Sequence, residues 1–223
     1  MKKVLLTFLL ILIFSIIYYG FEFREKSYFE GQIIYDIEYS TYKIDPQKLK
    51  ELNGSKIILT YKKGNYKKQY FSPNGKLVQE RILDLEAKKS YLKIFDTDTI
   101  FWFDITKSDS EISFKILNDS IILDHPCKII ETSFFENNLS EQLNEVKTIT
   151  KYAQDLIIDP SWYKDYRYSS YNEIAKIVKG ISIEETTITG DYEREIKFNS
   201  INKRKVNNSE LEIELKTNPL KEL

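Results

Sequence analysis

The sequence predicts an α+β fold that is mainly β, with a largely antiparallel sheet of about ten strands and two short helices. Apolar and polar residues alternate with a period of two in several short segments, most clearly in GQIIYDIEYS at positions 31–40. Turn sequences of hairpin length separate such segments, as at 63–65 (KGN) and 72–75 (SPNG). The chain is also rich in residues that favour strands, with 16 Tyr and 13 Phe.

The first strand is expected at 31–40, where the odd-numbered side chains from Ile33 to Tyr39 would share the buried face. Asp45 and Pro46 then supply an N-cap and a first-turn proline, which predict a short helix ending near Gly54. Three predicted strands follow, at 56–62, 66–71 and 77–85.

The middle of the chain contains six further segments with strand patterns, at 91–95, 99–105, 111–117, 121–123, 127–134 and 146–153. The segment TIFWFDI at 99–105 is apolar on both faces, so we expect a central strand that is covered on both sides. Pro126 predicts a break in the strand structure. Residues 135–144 are polar and acidic and are expected to form a loop or a short helix.

Asp159 and Pro160 repeat the helix-start signal and open an aromatic-rich segment, SWYKDYRYSSYNEIAKIVKG, which is expected to be helical until Gly180. Trp162 and Tyr166 are four residues apart and would share one face of that helix. The last predicted strands are a hairpin at 181–188 and 192–201 and an edge strand at 207–216.

The start of the chain has the pattern of an export signal. Lys2 and Lys3 precede an apolar run at 4–19, and Gly20 alone fits a cleavage position. A helix of about 16 residues spans about 24 Å, against about 30 Å for the hydrocarbon core of a bilayer. We expect an N-terminal apolar helix at 1–23, either a cleaved signal peptide or a signal anchor that attaches the protein to the membrane. A buried core helix is the less favoured alternative.

The composition limits what the exported part, residues 24–223, can be. Its length fits one domain with a core of its own. In the whole chain the 33 basic and 34 acidic residues nearly cancel and are interspersed, which argues against a nucleic-acid partner. Cys127 is the only cysteine, so the chain has no internal disulfide and depends on packing.

Candidate chemistry is sparse. His125 and Cys127 are the only His and Cys and would share a face, so a thiolate activated by imidazole is one hypothesis; a buried cysteine beside a turn histidine is favoured. Asp96, Asp98 and Asp104 lie near one turn and could bind calcium weakly, although a solvated turn is favoured. No catalytic motif is present. We therefore predict no enzyme activity, no metal site and no cofactor.

Three motifs carry a family resemblance: F-x-G-x-I-x-Y at 29–35, I-L-x-x-x-C-K at 122–128 and D-x-x-I-D-P at 155–160. With the exported start, they resemble the LolA-like superfamily, which comprises lipoprotein carriers and uncharacterised envelope proteins of Gram-negative bacteria. The layout is similar over most of 28–216. In relatives a glycine often lies three residues before the cysteine, where this chain has Asp124.

The resemblance implies a curved antiparallel sheet, a half-open β-barrel, whose concave face is covered by short helices. It also implies a periplasmic or membrane-anchored protein that faces the periplasm. In the carriers the concave face holds acyl chains, so one hypothesis is a cavity for a lipid-like or apolar ligand. Five aromatic residues would line that cavity: Tyr35, Phe101, Phe103, Trp162 and Tyr166.

A second hypothesis is a structural or protein-interaction module of the envelope whose barrel is filled by its own side chains. Such a module would act through a protein partner at an exposed edge of the sheet. For Trp162 and Tyr166, packing in the core is favoured over gating of a cavity.

Overall fold

One curved β-sheet contains nearly all the strands of the protein in a single hydrogen-bonded layer. A computed structural model describes residues 27–41, 43–108, 112–137, 143–212 and 219–222. The predicted N-terminal helix at 1–23 lies outside the described residues. The strands are β1 (Gly31–Thr41), β2 (Lys56–Lys62), β3 (Asn65–Phe71), β4 (Leu77–Asp84), β5 (Lys89–Ile94), β6 (Ile100–Asp104), β7 (Ser113–Ile116), β8 (Ser120–Ile122), β9 (His125–Asn137), β10 (Leu143–Ile157), β11 (Gly180–Ile188), β12 (Tyr192–Lys203) and β13 (Leu220–Glu222).

The sheet is curved and unclosed, as predicted for a half-open barrel with short helices. Its strand order is β13-β6-β5-β4-β3-β2-β1-β12-β11-β10-β9-β7, and β8 pairs with β9. Within the described residues every pairing is antiparallel except that of β13 with β6. In the middle of the sheet β1 pairs with β2 on one side and with β12 on the other.

The concave face of the sheet carries most of the core, and a smaller buried cluster of Ile82, Tyr91 and Ile100 lies on the convex face. Along β1 the side chains of Ile33, Tyr35, Ile37 and Tyr39 are buried, and they alternate with half-buried or exposed neighbours. Alternation of this kind places one set of side chains on each face of a strand. The predicted first strand and its buried face are therefore confirmed.

Helices cover parts of the concave face. The first α-helix, α1 (Pro46–Asn53), begins at Asp45, whose Oδ1 accepts a hydrogen bond from the Gln47 backbone N–H at 2.9 Å. The remaining helices are α2 (Tyr171–Val178) and three 3-10 helices, Pro160–Tyr163, Tyr168–Ser170 and Asn208–Leu211. The last of these lies on the convex face, where Asn208 Oδ1 accepts a hydrogen bond from Lys62 Nζ at 2.8 Å. Among the described residues, no helix has both the length and the apolar character needed to span a membrane.

The aromatic segment after Asp159 is not one continuous helix. Residues 160–178, here called the plug, contain two 3-10 helices and α2, because the backbone turns left-handed at Ser169 and Ser170 (φ 55° and 54°). The helix ends with Lys179 at φ 48°, and Gly180 already belongs to β11. A side chain at Gly180 would place its Cβ 2.1 Å from the Ala153 carbonyl oxygen, so close strand packing explains that glycine.

Four other predictions need correction. The apolar strand β6 is the second strand from an edge, because the C-terminal β13 pairs with it. Strand β9 runs through Pro126, which lies opposite Ile121 in β8 and has no paired residue in β10. Much of 135–144 is strand, since β9 extends to Asn137 and β10 begins at Leu143. The segment 207–216 contains a 3-10 helix with a capping box instead of a strand up to Leu211.

Candidate functional site

The plug fills one part of the concavity with tyrosine rings. Tyr163 is 1% exposed, and its hydroxyl oxygen lies 2.7 Å from that of Tyr61. The Tyr163 hydroxyl donates to the Gly64 carbonyl oxygen at 3.3 Å, and its ring meets that of Tyr171 edge-on at 5.0 Å. Burial is the main cause that raises the pKa of Tyr163 well above its ordinary value. This hydroxyl is therefore a neutral hydrogen-bonding group of the core.

Two of the five predicted cavity residues are part of this core. Tyr35 is 4% exposed and donates its hydroxyl to the Ser182 carbonyl oxygen at 2.8 Å. Tyr166 is 9% exposed, and its ring centre lies 5.0 Å from that of Tyr171. Both side chains have partners within the protein.

The other three predicted residues, Phe101, Phe103 and Trp162, are half-buried. The Phe103 ring lies 4.5 Å from that of Tyr168 in the plug. Trp162 packs edge-on against Tyr28 at 5.1 Å. Tyr35, Tyr166, Phe103 and Trp162 belong to or pack against one hydrophobic cluster that does not include Phe101. The ligand-binding role of the five residues stays a prediction.

Strand register brings a different set of residues together on the concave face. Directly opposed residues in antiparallel strands share a face. The pairings form one row across β2 to β6, here called the concave row: Leu59, Lys68, Arg81, Leu92 and Phe101. Two cations, Lys68 and Arg81, are thus directly opposed at the middle of the row, and they have an apolar residue on each side.

The opposite part of the concave face contributes an ion pair. The Arg194 Nη2 of β12 donates to Glu185 Oε1 of β11 at 2.7 Å and to Thr187 Oγ1 at 3.1 Å. The two charged side chains keep 25% and 24% of their surface exposed. Arg194 Nε is buried and has no hydrogen-bond acceptor among the described residues. This pair therefore lies in a partly enclosed but water-accessible place.

Curvature of the sheet brings the two groups toward each other. Strand β3 is four strand positions from β11, which would be about 19 Å in a flat sheet. Burial raises the pKa of Glu185, but the charges of Arg194, Lys68 and Arg81 lower it, so that the pKa lies below its ordinary value. We call Lys68, Arg81, Glu185 and Arg194 the concave charge cluster. It contains three cations and one carboxylate.

Aromatic rings flank the two opposed cations. The Lys68 ammonium lies 5.5 Å from the centre of the Tyr66 ring, and the Arg81 guanidinium lies 5.9 Å from that of Tyr70. The sequence analysis did not select any member of the concave charge cluster. The strand pattern of NYKKQYF could have identified one member, because a period of two places Lys68 on the same face as Tyr66 and Tyr70.

In the thiolate hypothesis the Cys127 thiol would contact the His125 imidazole, but the thiol donates to the His125 backbone carbonyl oxygen at 3.3 Å. Cys127 is 1% exposed, and burial is the main cause that raises the pKa of its thiol. The His125 Nδ1 lies 2.8 Å from the nearer carboxylate oxygen of Asp155. The imidazole thus contacts a carboxylate, and the shift in the thiol pKa disfavours the thiolate that a nucleophile requires.

The turn before Cys127 has a left-handed backbone at both of its residues. Leu123 and Asp124 form the two-residue loop between β8 and β9, with φ of 49° and 66°. Asp is one of the non-glycine residues that tolerate this left-handed region. Asp124 therefore fits this turn although it is not a glycine.

In the described part of the chain, the aspartates of the calcium hypothesis do not form a metal-binding cluster. Asp96 pairs with Lys76 at 2.9 Å. Asp104 accepts hydrogen bonds from Thr106 Oγ1 and the Thr106 backbone N–H, which lower the pKa of its carboxyl. No group of three or more metal-binding side chains occurs among the described residues.

Comparison with known proteins adds little to this site. No protein-family model matches the chain. No curated protein matches it either. One solved structure that is similar is the crystal structure of LprF from Mycobacterium bovis, with 10% identity and a TM-score of 0.31 over 77% of this chain and 85% of that chain. At this score the similarity carries no argument for family or function, and the resemblance to LolA-like proteins stays a prediction.

Proposed function

We propose that this protein is an exported binding module of the cell envelope that holds a lipid-like ligand against the uncovered part of its concave sheet face. It acts without catalysis and faces the periplasm, either released or attached through residues 1–23. The proposal combines the export pattern of the sequence with the shape and lining of the sheet.

The observation that carries this proposal is the concave row. The plug packs on Tyr61, beside the row, and in the row Leu92 and Phe101 remain only half-buried. A half-open sheet with apolar side chains on its concave side offers a ligand a surface that is curved and partly shielded from water. Phe101 is one of the five residues that the sequence analysis selected for this role.

The test is native mass spectrometry of the full chain purified from the membranes of its own cells. We expect a bound mass that disappears after organic extraction. Replacement of Phe101 by Ala should reduce the ligand-bound fraction, whereas Phe135→Ala, at a residue that is 68% exposed on β9, serves as the matched control. Bare protein in every sample would contradict the proposal.

A second candidate function is protein interaction through the edge formed by β7, β8 and β9. Large apolar side chains are exposed there: Ile116 (53%), Ile121 (74%), Leu123 (58%) and Phe135 (68%). Exposed apolar groups near a sheet edge are a common feature of protein contact sites.

Site-specific photocrosslinking in cells distinguishes this candidate. A crosslinker at Ile121 should give one reproducible protein adduct, and a crosslinker at Leu52, which is 58% exposed on α1, should not. Equal labelling at both positions would remove the interaction candidate and leave the ligand-binding proposal unaffected.

A further inference from the structure

The concave row has an electrostatic feature that folding alone does not explain. Lys68 of β3 and Arg81 of β4 are directly opposed partners in the antiparallel register. Like charges at directly opposed positions destabilise a sheet. The register therefore keeps two cations together, and the Glu185 carboxylate across the concavity is the charge that opposes their repulsion.

Within the described residues, neither of these two cations forms an ion pair with a carboxylate. Neither Lys68 nor Arg81 has a carboxylate oxygen within 4.0 Å in the described part of the chain, and Glu185 is already paired with Arg194. On the convex face the neighbouring residue is balanced, since the Lys67 Nζ lies 3.5 Å from a carboxylate oxygen of Glu80. The excess of positive charge is thus confined to the concave side of these strands.

Apolar and aromatic side chains flank the two cations, and the Gln79 amide oxygen accepts a hydrogen bond from the Arg81 guanidinium. Leu92 and Phe101 continue the row beyond Arg81 toward the sheet edge, and both are half-buried. The rings of Tyr66 and Tyr70 lie against the two cationic groups. A molecule on this surface would meet positive charge at one point and apolar groups next to it.

We propose that Lys68 and Arg81 bind the anionic group of an amphipathic ligand, a phosphate or a carboxylate, while its apolar part lies on Leu92 and Phe101. This inference rests on the proposed function and specifies the chemistry of its ligand. The anion would pair with both cations at once and remove their repulsion. Arg194 and Glu185 satisfy each other and form the opposite wall.

The test is equilibrium dialysis of the full chain with three probes: decyl phosphate, decanol and inorganic phosphate. We expect decyl phosphate to bind at least about tenfold more tightly than either of the other two, because it alone offers both parts of the ligand. Lys68→Met and Arg81→Met should each weaken decyl phosphate binding by about tenfold and leave decanol binding unchanged. Lys56→Met removes one exposed charge from the convex face of β2 and serves as the control.

Each other outcome contradicts a defined part of the reasoning. Equal binding of decyl phosphate and decanol, with both Met variants unchanged, would overturn the anion site and leave the proposed function standing. Equal binding of inorganic phosphate and decyl phosphate would overturn the amphipathic ligand and indicate a site for a free anion. No binding of any probe to the unmodified chain would overturn this inference, and bare protein in the mass spectrometry experiment would separately overturn the proposed function.

Thermal unfolding provides a second measurement that does not depend on a ligand. Relief of the repulsion by Lys68→Met should raise the unfolding temperature of the ligand-free protein by about 1–3 °C, since like charges at directly opposed positions destabilise a sheet. A fall in the unfolding temperature would show that the two cations are not in conflict, and it would contradict the argument from charge.

Discussion

Replacement of Tyr163 by Phe tests whether the plug is held by a specific hydrogen-bond relay. The Tyr163 hydroxyl accepts from or donates to Tyr61 at 2.7 Å and also donates to the Gly64 carbonyl oxygen at 3.3 Å. Because the second bond uses the Tyr163 hydrogen, Tyr61 is the donor in the first. Tyr163→Phe removes both bonds and leaves the Tyr61 hydroxyl buried without this acceptor.

The expected loss follows from the burial of these groups. A typical hydrogen bond contributes about 1 kcal/mol net, and a buried polar group left without a partner costs about 1–3 kcal/mol. We expect Tyr163→Phe to lower the free energy of unfolding by about 2 kcal/mol and Tyr61→Phe by about 1 kcal/mol. The double variant should lose about 2 kcal/mol, less than the sum, because it contains no stranded hydroxyl.

Urea unfolding of the three variants and the unmodified chain measures this coupling, provided that the slopes with denaturant agree. Tyr163→Phe should also lower the unfolding temperature by about 4–8 °C, given about 2–4 °C per kcal/mol for a chain of this size. If the losses of the two single variants sum to the loss of the double variant within about 0.5 kcal/mol, the relay is refuted, since independent groups do not couple.

Three further predictions concern other parts of the molecule. Gly180→Ala should destabilise the protein more than Gly75→Ala, because the new Cβ at Gly180 would lie 2.1 Å from a backbone oxygen. At Gly75 nothing lies within 4 Å, and Ala there meets only the strain of a φ of 82°. Chemical unfolding compares the two variants, and equal losses would contradict the packing argument. The hydrogen bond from Arg204 is the main cause that lowers the pKa of Glu210 to about 2. The stabilising effect of the Glu210 carboxylate is therefore present above the ordinary pKa near 4.5 and is lost as pH falls through about 2. An NMR titration should show this low pKa, and Arg204→Gln should return it toward its ordinary value. Cys127 should react with a thiol reagent slowly in the folded chain and rapidly in urea, because it is 1% exposed and burial raises the pKa of its thiol. Rapid reaction of the folded chain would contradict this burial.

Local chemistry explains which parts of the fold could be predicted from the sequence. The alternation from Ile33 to Tyr39 depends only on the period of a strand, and the structure confirms it. Asp45 and Pro46 act within one turn of α1, so their helix signal was also correct. Both predictions needed no information about distant residues.

The predictions that failed depend on contacts between distant parts of the chain. The apolar β6 resembles a central strand, but its position is set by pairing with the C-terminal β13. The concave charge cluster was missed for the same reason. A period of two places Lys68 on one face, yet only the curvature of the sheet brings Glu185 and Arg194 to the same concavity.

The pairing of β1 with β12 has a consequence for the time at which the molecule can form. Gly31 lies opposite Lys203, so the middle of the sheet joins one of the first strands of the chain to one of the last. Strands β2 to β6 follow one another as neighbours and can pair as soon as they are synthesised, whereas β1 keeps one edge unpaired until β12 is complete. A chain that is still emerging from a ribosome, or threading through a narrow pore, therefore cannot complete the half-barrel. Folding of the concave face is a late event, and until then the unpaired edge of β1 needs protection from other chains.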